Sequence, residues 1–261
     1  MKKSIIIIFS LSVLASIVIL IIKKDKKTFY PEKNECCSQS KNTNKIISIG
    51  GSITEILYLL ESEDDIIAVD VTSTYPRETS SKKSIGYIRN LSVEGVLSCN
   101  PSLIISEDDI GPPIIIDQIN KSGVDLRIIY EEKTLEGIID KIKCISKIIN
   151  KETTANKIIN SELNPKIKEI KNLRKNQKLK DLKIMMILSM QGSSPTVAGG
   201  NTSGDAYIKM LGAKNIYESI EGWKSVTSES ILNLNPDIII LPEREMHKNS
   251  NTKIIMNNEL F

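Results

Sequence analysis

Tyr87 and Arg89 are separated by one residue in the run Gly86-Tyr-Ile-Arg-Asn. On an extended strand, side chains two apart share a face, so the phenol and the guanidinium would lie together. A free phenol ionises near pH 10, at about 10, and an adjacent cation favours the phenolate, an oxygen donor. Taken alone, a tyrosine behind a glycine reads as a packed aromatic that anchors a loop. A second glycine–aromatic pair, Gly222-Trp223, offers an indole that donates a hydrogen bond but has no lone pair for a metal. Tyr75, in Ser73-Thr-Tyr-Pro, reads either as a turn residue or as another aromatic wall.

Other chemistry has little to stand on. The chain has one histidine, His247, and four cysteines with no Cys-x-x-Cys pair, which argues against a protein-built zinc or cluster site. No Gly-x-Ser-x-Gly elbow supports a hydrolase. Gly50-Gly51-Ser52 lacks the third glycine of a dinucleotide loop and the lysine of a phosphate loop. Cys36-Cys37 follows Lys33-Asn34-Glu35 rather than the small and aliphatic residues of a lipidation signal. Cys99 and Cys144 read as buried free thiols.

The elements that must hold these residues are written twice. Ser92-Val-Glu-Gly-Val-Leu-Ser-Cys-Asn-Pro-Ser-Leu-Ile-Ile is echoed by Thr227-Ser-Glu-Ser-Ile-Leu-Asn-Leu-Asn-Pro-Asp-Ile-Ile-Ile, so that Glu94 aligns with Glu229 and Asn100-Pro101 with Asn235-Pro236. Each copy reads as a short helix, a stop at Asn-Pro and a buried strand. Further upstream, Gly50-Gly51-Ser52-Ile53-Thr54 is matched by Gly199-Gly200-Asn201-Thr202-Ser203. Two long copies imply a duplicated α/β lobe rather than a solenoid, and a cleft between lobes suits a small ligand.

The map that follows is an α/β protein of two lobes with mostly parallel sheets joined by a long helix. Residues 4–22 form an apolar stretch flanked by lysines, so residues 1–23 read as a signal peptide or a membrane anchor. Residues 24–44 are a polar tether. The first lobe spans 45–131, with strands at Ile46–Ile49, Ile66–Asp70, Leu103–Ser106 and Leu126–Tyr130. Apolar residues at helical spacing fill 132–181, where Pro165 is expected to kink the helix. The second lobe occupies 182–261. Counting by the repeat, the equivalent of its last strand would start at 261, so this lobe reads as truncated, with His247 to Asn251 poorly ordered. Eight lysines against three acids in residues 1–44 leave 27 bases and 29 acids elsewhere, which gives no basic surface for nucleic acid.

Gly50-Gly-Ser-Ile-Thr-Glu-Ile-Leu-Tyr, Asp70-Val-Thr-Ser-Thr-Tyr-Pro, Gly86-Tyr-Ile-Arg-Asn-Leu-Ser-Val-Glu-Gly-Val-Leu, Glu107-Asp-Asp-Ile-Gly-Pro-Pro, Val197-Ala-Gly-Gly-Asn-Thr and Gly222-Trp-Lys-Ser-Val-Thr-Ser-Glu occur in order. Together they resemble the Fe/B12-type periplasmic-binding family, the substrate-binding proteins of ABC importers, and within it the haem-binding branch. The resemblance implies an exported, non-enzymatic protein that captures haem and passes it to a permease dimer with its ATPase. It carries the axial-ligand role to Tyr87, which suits ferric iron because phenolate is a hard donor. Arg89, Trp223 and Tyr75 would then line the haem, with Met190 as a weak sixth ligand where some relatives have histidine. Helix N-termini at Ser52–Thr54 and at Asn201 and Thr202 would face the propionates. Glu94 and Glu229 would meet arginines of the permease, besides offsetting their helix dipoles. Siderophore or corrinoid binding is the alternative within the family, and a decayed homologue is a further one.

Overall fold

The computed structural model describes residues 36–175, 180–191 and 194–242. The apolar stretch 4–22, residues 24–35 and the expectation for His247 to Asn251 lie outside the described residues. The chain divides between Tyr130 and Glu131 into two compact units. The helical region expected to connect the lobes therefore belongs to the second unit.

In the first unit, isoleucine-rich runs make a parallel sheet covered on both faces, the environment that favours uninterrupted apolar strands. Its strands are β1 (Ile46–Ile49), β2 (Ile66–Val69), β3 (Lys83–Ser84), β6 (Leu103–Glu107) and β7 (Asp125–Ile129), in the order β3-β2-β1-β6-β7. All four pairings are parallel. Between β3 and β6 the chain forms a hairpin of β4 (Gly86–Tyr87) and β5 (Asn90–Leu91), then helix α2 (Val93–Leu97). Helix α1 (Gly51–Leu59) follows β1 and α3 (Pro113–Ser122) follows β6. The core joins Ile47, Ile49, Ile104 and Ile128 of the sheet to Ile116 and Ile119 of α3.

The expected tether ends earlier than residue 44. Cys36 and Ser40 are buried, Ser40 Oγ donates to Asp125 Oδ2 at 2.8 Å, and Arg127 Nη1 donates to Ser38 Oγ at 2.7 Å. Residues from Cys36 onward are thus docked at the start of β7, because the Arg127 and Asp125 side chains give this polar segment fixed partners. Cys37 and Cys144 are each disulfide-bonded, whereas Cys99 is a free thiol. Cys144 as a free thiol is therefore corrected, and an oxidised cysteine is consistent with an exported protein.

The second unit opens with helices, not one long rod. Helix α4 (Leu135–Ile148) stops where Asn150 takes a left-handed φ of 59°. A continuous helical run then follows: α5 (Glu152–Ile158), a π-turn over Ile159–Leu163, and α6 (Asn164–Leu173). Pro165 falls just inside α6, and the widened turn ahead of it is where the missing N–H is absorbed.

The second sheet is mixed rather than mostly parallel. Strand β8 (Lys183–Gln191) pairs in parallel with β10 (Lys214–Asn215) and β12 (Ile238–Ile240), and antiparallel with β9 (Ser194–Ala198), which pairs antiparallel with β11 (Trp223–Ser225). Helix α7 (Ser203–Leu211) follows β9 and α8 (Ser228–Leu234) precedes β12. Among the described residues no strand lies beyond β12. The duplication is visible in backbone detail: Ser92 and Thr227 cap α2 and α8 through their hydroxyls, Asn100 and Asn235 have φ of 50° and 47°, and Gly86 and Gly222 both have positive φ.

Candidate functional site

The loops that leave β1, β2 and β6 at their C-terminal ends carry the candidate residues of the first unit, the edge where α/β sheets place ligands. Two carboxylates organise them. Asp70, 1% exposed, accepts from Gly50 N at 2.8 Å, Thr72 N at 3.0 Å, Thr72 Oγ1 at 2.7 Å and Ser73 Oγ at 3.0 Å. It thereby ties the turn after β1 to the segment after β2. Glu107 Oε1 accepts from Ser52 N at 3.2 Å and from Ser52 Oγ. Gly50, with φ of 108°, is required here because a Cβ would sit 2.5 Å from the Glu107 carboxyl carbon.

The hairpin β4–β5 presents Tyr87, 42% exposed, with Ile88 and Arg89 in the two-residue turn. Buried Ile88 pins that turn to the core. Backbone bonds fix the hairpin from both sides: Val71 N donates to Gly86 O at 2.9 Å, Gly111 N to Ile88 O at 2.9 Å, and Leu91 N to Gly111 O at 3.0 Å. Arg89 is therefore on a turn rather than on an extended run with Tyr87. Its Nε and Nη2 reach Asp109 Oδ2 at 3.0 and 2.8 Å. The guanidinium is held above its ordinary value, first by the hydrogen bond to Asp109 and to a lesser degree by the neighbouring Tyr87 phenol.

Tyr75 stands 65% exposed on the segment after β2, and exposed Val71 and Ile114 flank the same edge. An exposed aromatic and aliphatic rim beside an ionisable oxygen can hold a flat apolar ligand with a metal centre. Sequence reasoning missed Val71, Asp109 and Ile114. Their only signal was membership of the Asp70-Val-Thr and Glu107-Asp-Asp runs and the position after Pro112-Pro113.

The residues expected at the propionates have partners within the protein. Thr54 is fully buried, its hydroxyl within 2.7 Å of both Ser48 Oγ and Ser73 Oγ, and the Ser52 donors at the start of α1 are taken by Glu107. A propionate there would meet a carboxylate. In the second unit, Asn201 N donates to Asp205 Oδ2 at 3.3 Å, while Thr202 is buried and its hydroxyl caps α7 by accepting from Asp205 N. This N-terminus is likewise already served by an acid of its own. Asp205 is titrated down overall: burial pushes it up, but hydrogen bonds from Lys209 and Asn215 outweigh that.

Met190 is on strand β8 opposite Pro195, not in a loop, and packs against the core of the second unit. Trp223 opens strand β11 opposite Ala198, and a Cβ on Gly204 would lie 3.0 Å from its ring, so half of the indole rests on α7. Glu94 and Glu229 are both exposed in the first turns of α2 and α8.

The first unit carries its candidate residues at the strand ends of a parallel sheet, and the helix–Asn-Pro–strand pattern of that unit recurs in the second. The chain belongs to the periplasmic binding protein family, whose model matches residues 46–261. It is 25% identical over 209 residues to an uncharacterized ABC transporter substrate-binding lipoprotein of Bacillus subtilis, covering 79% of this chain and 66% of that one. The vitamin B12-binding protein of Pectobacterium atrosepticum is 22% identical over 209 residues, 79% of this chain and 74% of that one. Among solved structures, the periplasmic heme-binding protein RhuT of Roseiflexus sp. RS-1 in apo form superposes with a TM-score of 0.73 at 25% identity, covering 83% of each chain. The exported location read from the N-terminus is that of the family, although no helix among the described residues is long and apolar enough to cross a membrane.

Proposed function

We propose that this protein is the substrate-binding component of an ABC importer and that its cargo is ferric haem, ligated by Tyr87. The observation that carries the reading is the Tyr87 phenol, partly exposed on a hairpin clamped from both sides, with the Arg89 cation beside it. Phenolate is a hard donor suited to ferric iron and is a known haem ligand. Val71, Tyr75 and Ile114 supply apolar contact for the porphyrin. Propionates are held elsewhere than at the helix starts, where Ser52 N donates to Glu107, Thr54 N to Gly50 O and Asn201 N to Asp205. Glu94 and Glu229 dock the permease, and the protein binds and hands over rather than catalyses.

The likeness to a vitamin B12-binding protein favours a second cargo, a corrinoid. Cobalamin would not use Tyr87. Equilibrium titration of the purified chain with haemin and with cyanocobalamin distinguishes the two: tight haemin binding with weak cobalamin binding supports the proposal, and the reverse order rejects it.

A further inference from the structure

We propose that Asp109 is a positioning residue for the iron-ligating edge: it holds Arg89 in place beside the Tyr87 phenolate. This inference rests on Tyr87 being the ligand. Arg89 has four rotatable carbons' worth of freedom and sits on a turn at the tip of a two-strand hairpin, more than half exposed. Within the hairpin its guanidinium has the neighbouring Tyr87 phenol. Asp109 holds it from a different element, the loop after β6, with Oδ2 accepting from both Nε and Nη2.

The backbone makes this loop a rigid support. Gly111 N donates to Ile88 O, Leu91 N donates to Gly111 O, and a Cβ on Gly111 would come within 3.3 Å of Arg89 O. The loop and the hairpin turn therefore move as one. The second Asp109 oxygen, Oδ1, is shielded from solvent and accepts no hydrogen bond, so Arg89 is what compensates this carboxylate. A carboxylate that faced the iron edge without Arg89 would repel the phenolate. Paired, it aims the guanidinium and the pair adds no net charge of its own.

The test is a double-mutant cycle on the full-length protein in detergent, with Asp109→Asn, Arg89→Gln and the double variant. Two readouts are taken: the rate of haemin release to a scavenger and the position of the ferric charge-transfer band. Asp109→Asn should release haemin about two- to fivefold faster, the worth of an exposed ion pair, and shift the band. Asp109→Glu should restore part of both. In the Arg89→Gln background, Asp109→Asn should no longer speed release and should slow it, because the carboxylate then has no guanidinium to aim and only repels the phenolate.

Equal effects of Asp109→Asn with and without Arg89, or no effect in either background, overturn the inference and leave Asp109 as a loop-folding residue. Asp109→Glu guards against a variant that simply misfolds, since it keeps the charge. A wild-type band that survives Tyr87→Phe instead removes the ligation reading, and this inference with it. The two failures are thus told apart by which variant leaves the spectrum unchanged.

Discussion

Replacing Asp70 by asparagine should loosen the ligand edge of the first unit at a cost that follows from its four bonds. Oδ1 accepts from Gly50 N and Ser73 Oγ, and Oδ2 from Thr72 N and Thr72 Oγ1. An amide turns one of these oxygens into a donor that faces existing donors. The hydroxyl on that side can rotate away, but the backbone N–H cannot. One orphaned buried N–H costs about 1–3 kcal/mol, and hydrogen bonds to a charged acceptor that become neutral lose part of about 1.5–3 kcal/mol each. The sum for Asp70→Asn is about 2–4 kcal/mol. With a urea slope of about 2 kcal/mol per molar, the unfolding midpoint of the first unit should fall by roughly 1–2 M. Fluorescence and circular dichroism, followed separately because two units need not unfold together, measure it. A loss below about 1 kcal/mol would refute the claim that this carboxylate organises the loops after β1 and β2.

In the second unit, Asp205 is depressed below its ordinary value. Its ionised form therefore stabilises the folded state fully above the unfolded carboxylate value of about 3.9. That contribution is lost as pH falls through the lower folded value. Asp205→Asn should flatten the acid limb of the second unit's stability profile, and an unchanged limb in acid titration by circular dichroism would count against it. Reversing charge at Glu94 and Glu229 together should reduce haem uptake by the reconstituted importer, while haemin binding to the free protein stays within about twofold, because both side chains are exposed helix-start residues whose dipole role is worth only about 0.3–1 kcal/mol. Equal losses in binding and transport would assign them to the fold instead.

Much of the architecture was legible because the signals are local. Isoleucine-rich runs at 46–49 and 103–105 announce buried strands, and the doubled Asn-Pro stop falls where both copies turn left-handed at Asn100 and Asn235. What the local pattern hid was decided at a distance. The break at Asn150 was masked because the apolar spacing runs on through Ile149 and Ile158. Met190 and Trp223 look like loop residues until β8, β9 and β11 pair. At the candidate site, Tyr87 and Arg89 stood out by type and spacing. Asp109 did not, since an acid 20 residues away says nothing until the loop after β6 closes on the hairpin. The partner of the first helix start was hidden for the same reason: Glu107 reaches Ser52 across 55 residues of sequence.

The most direct measurement of the central claim is the visible spectrum of the protein with one equivalent of ferric haemin, wild type against Tyr87→Phe. Phenylalanine keeps the ring's packing and deletes the oxygen alone. The account predicts a phenolate-to-iron charge-transfer band in the wild type that is lost in Tyr87→Phe, together with weaker haemin binding. An identical spectrum and affinity in the two proteins would contradict it and take Tyr87 off the iron.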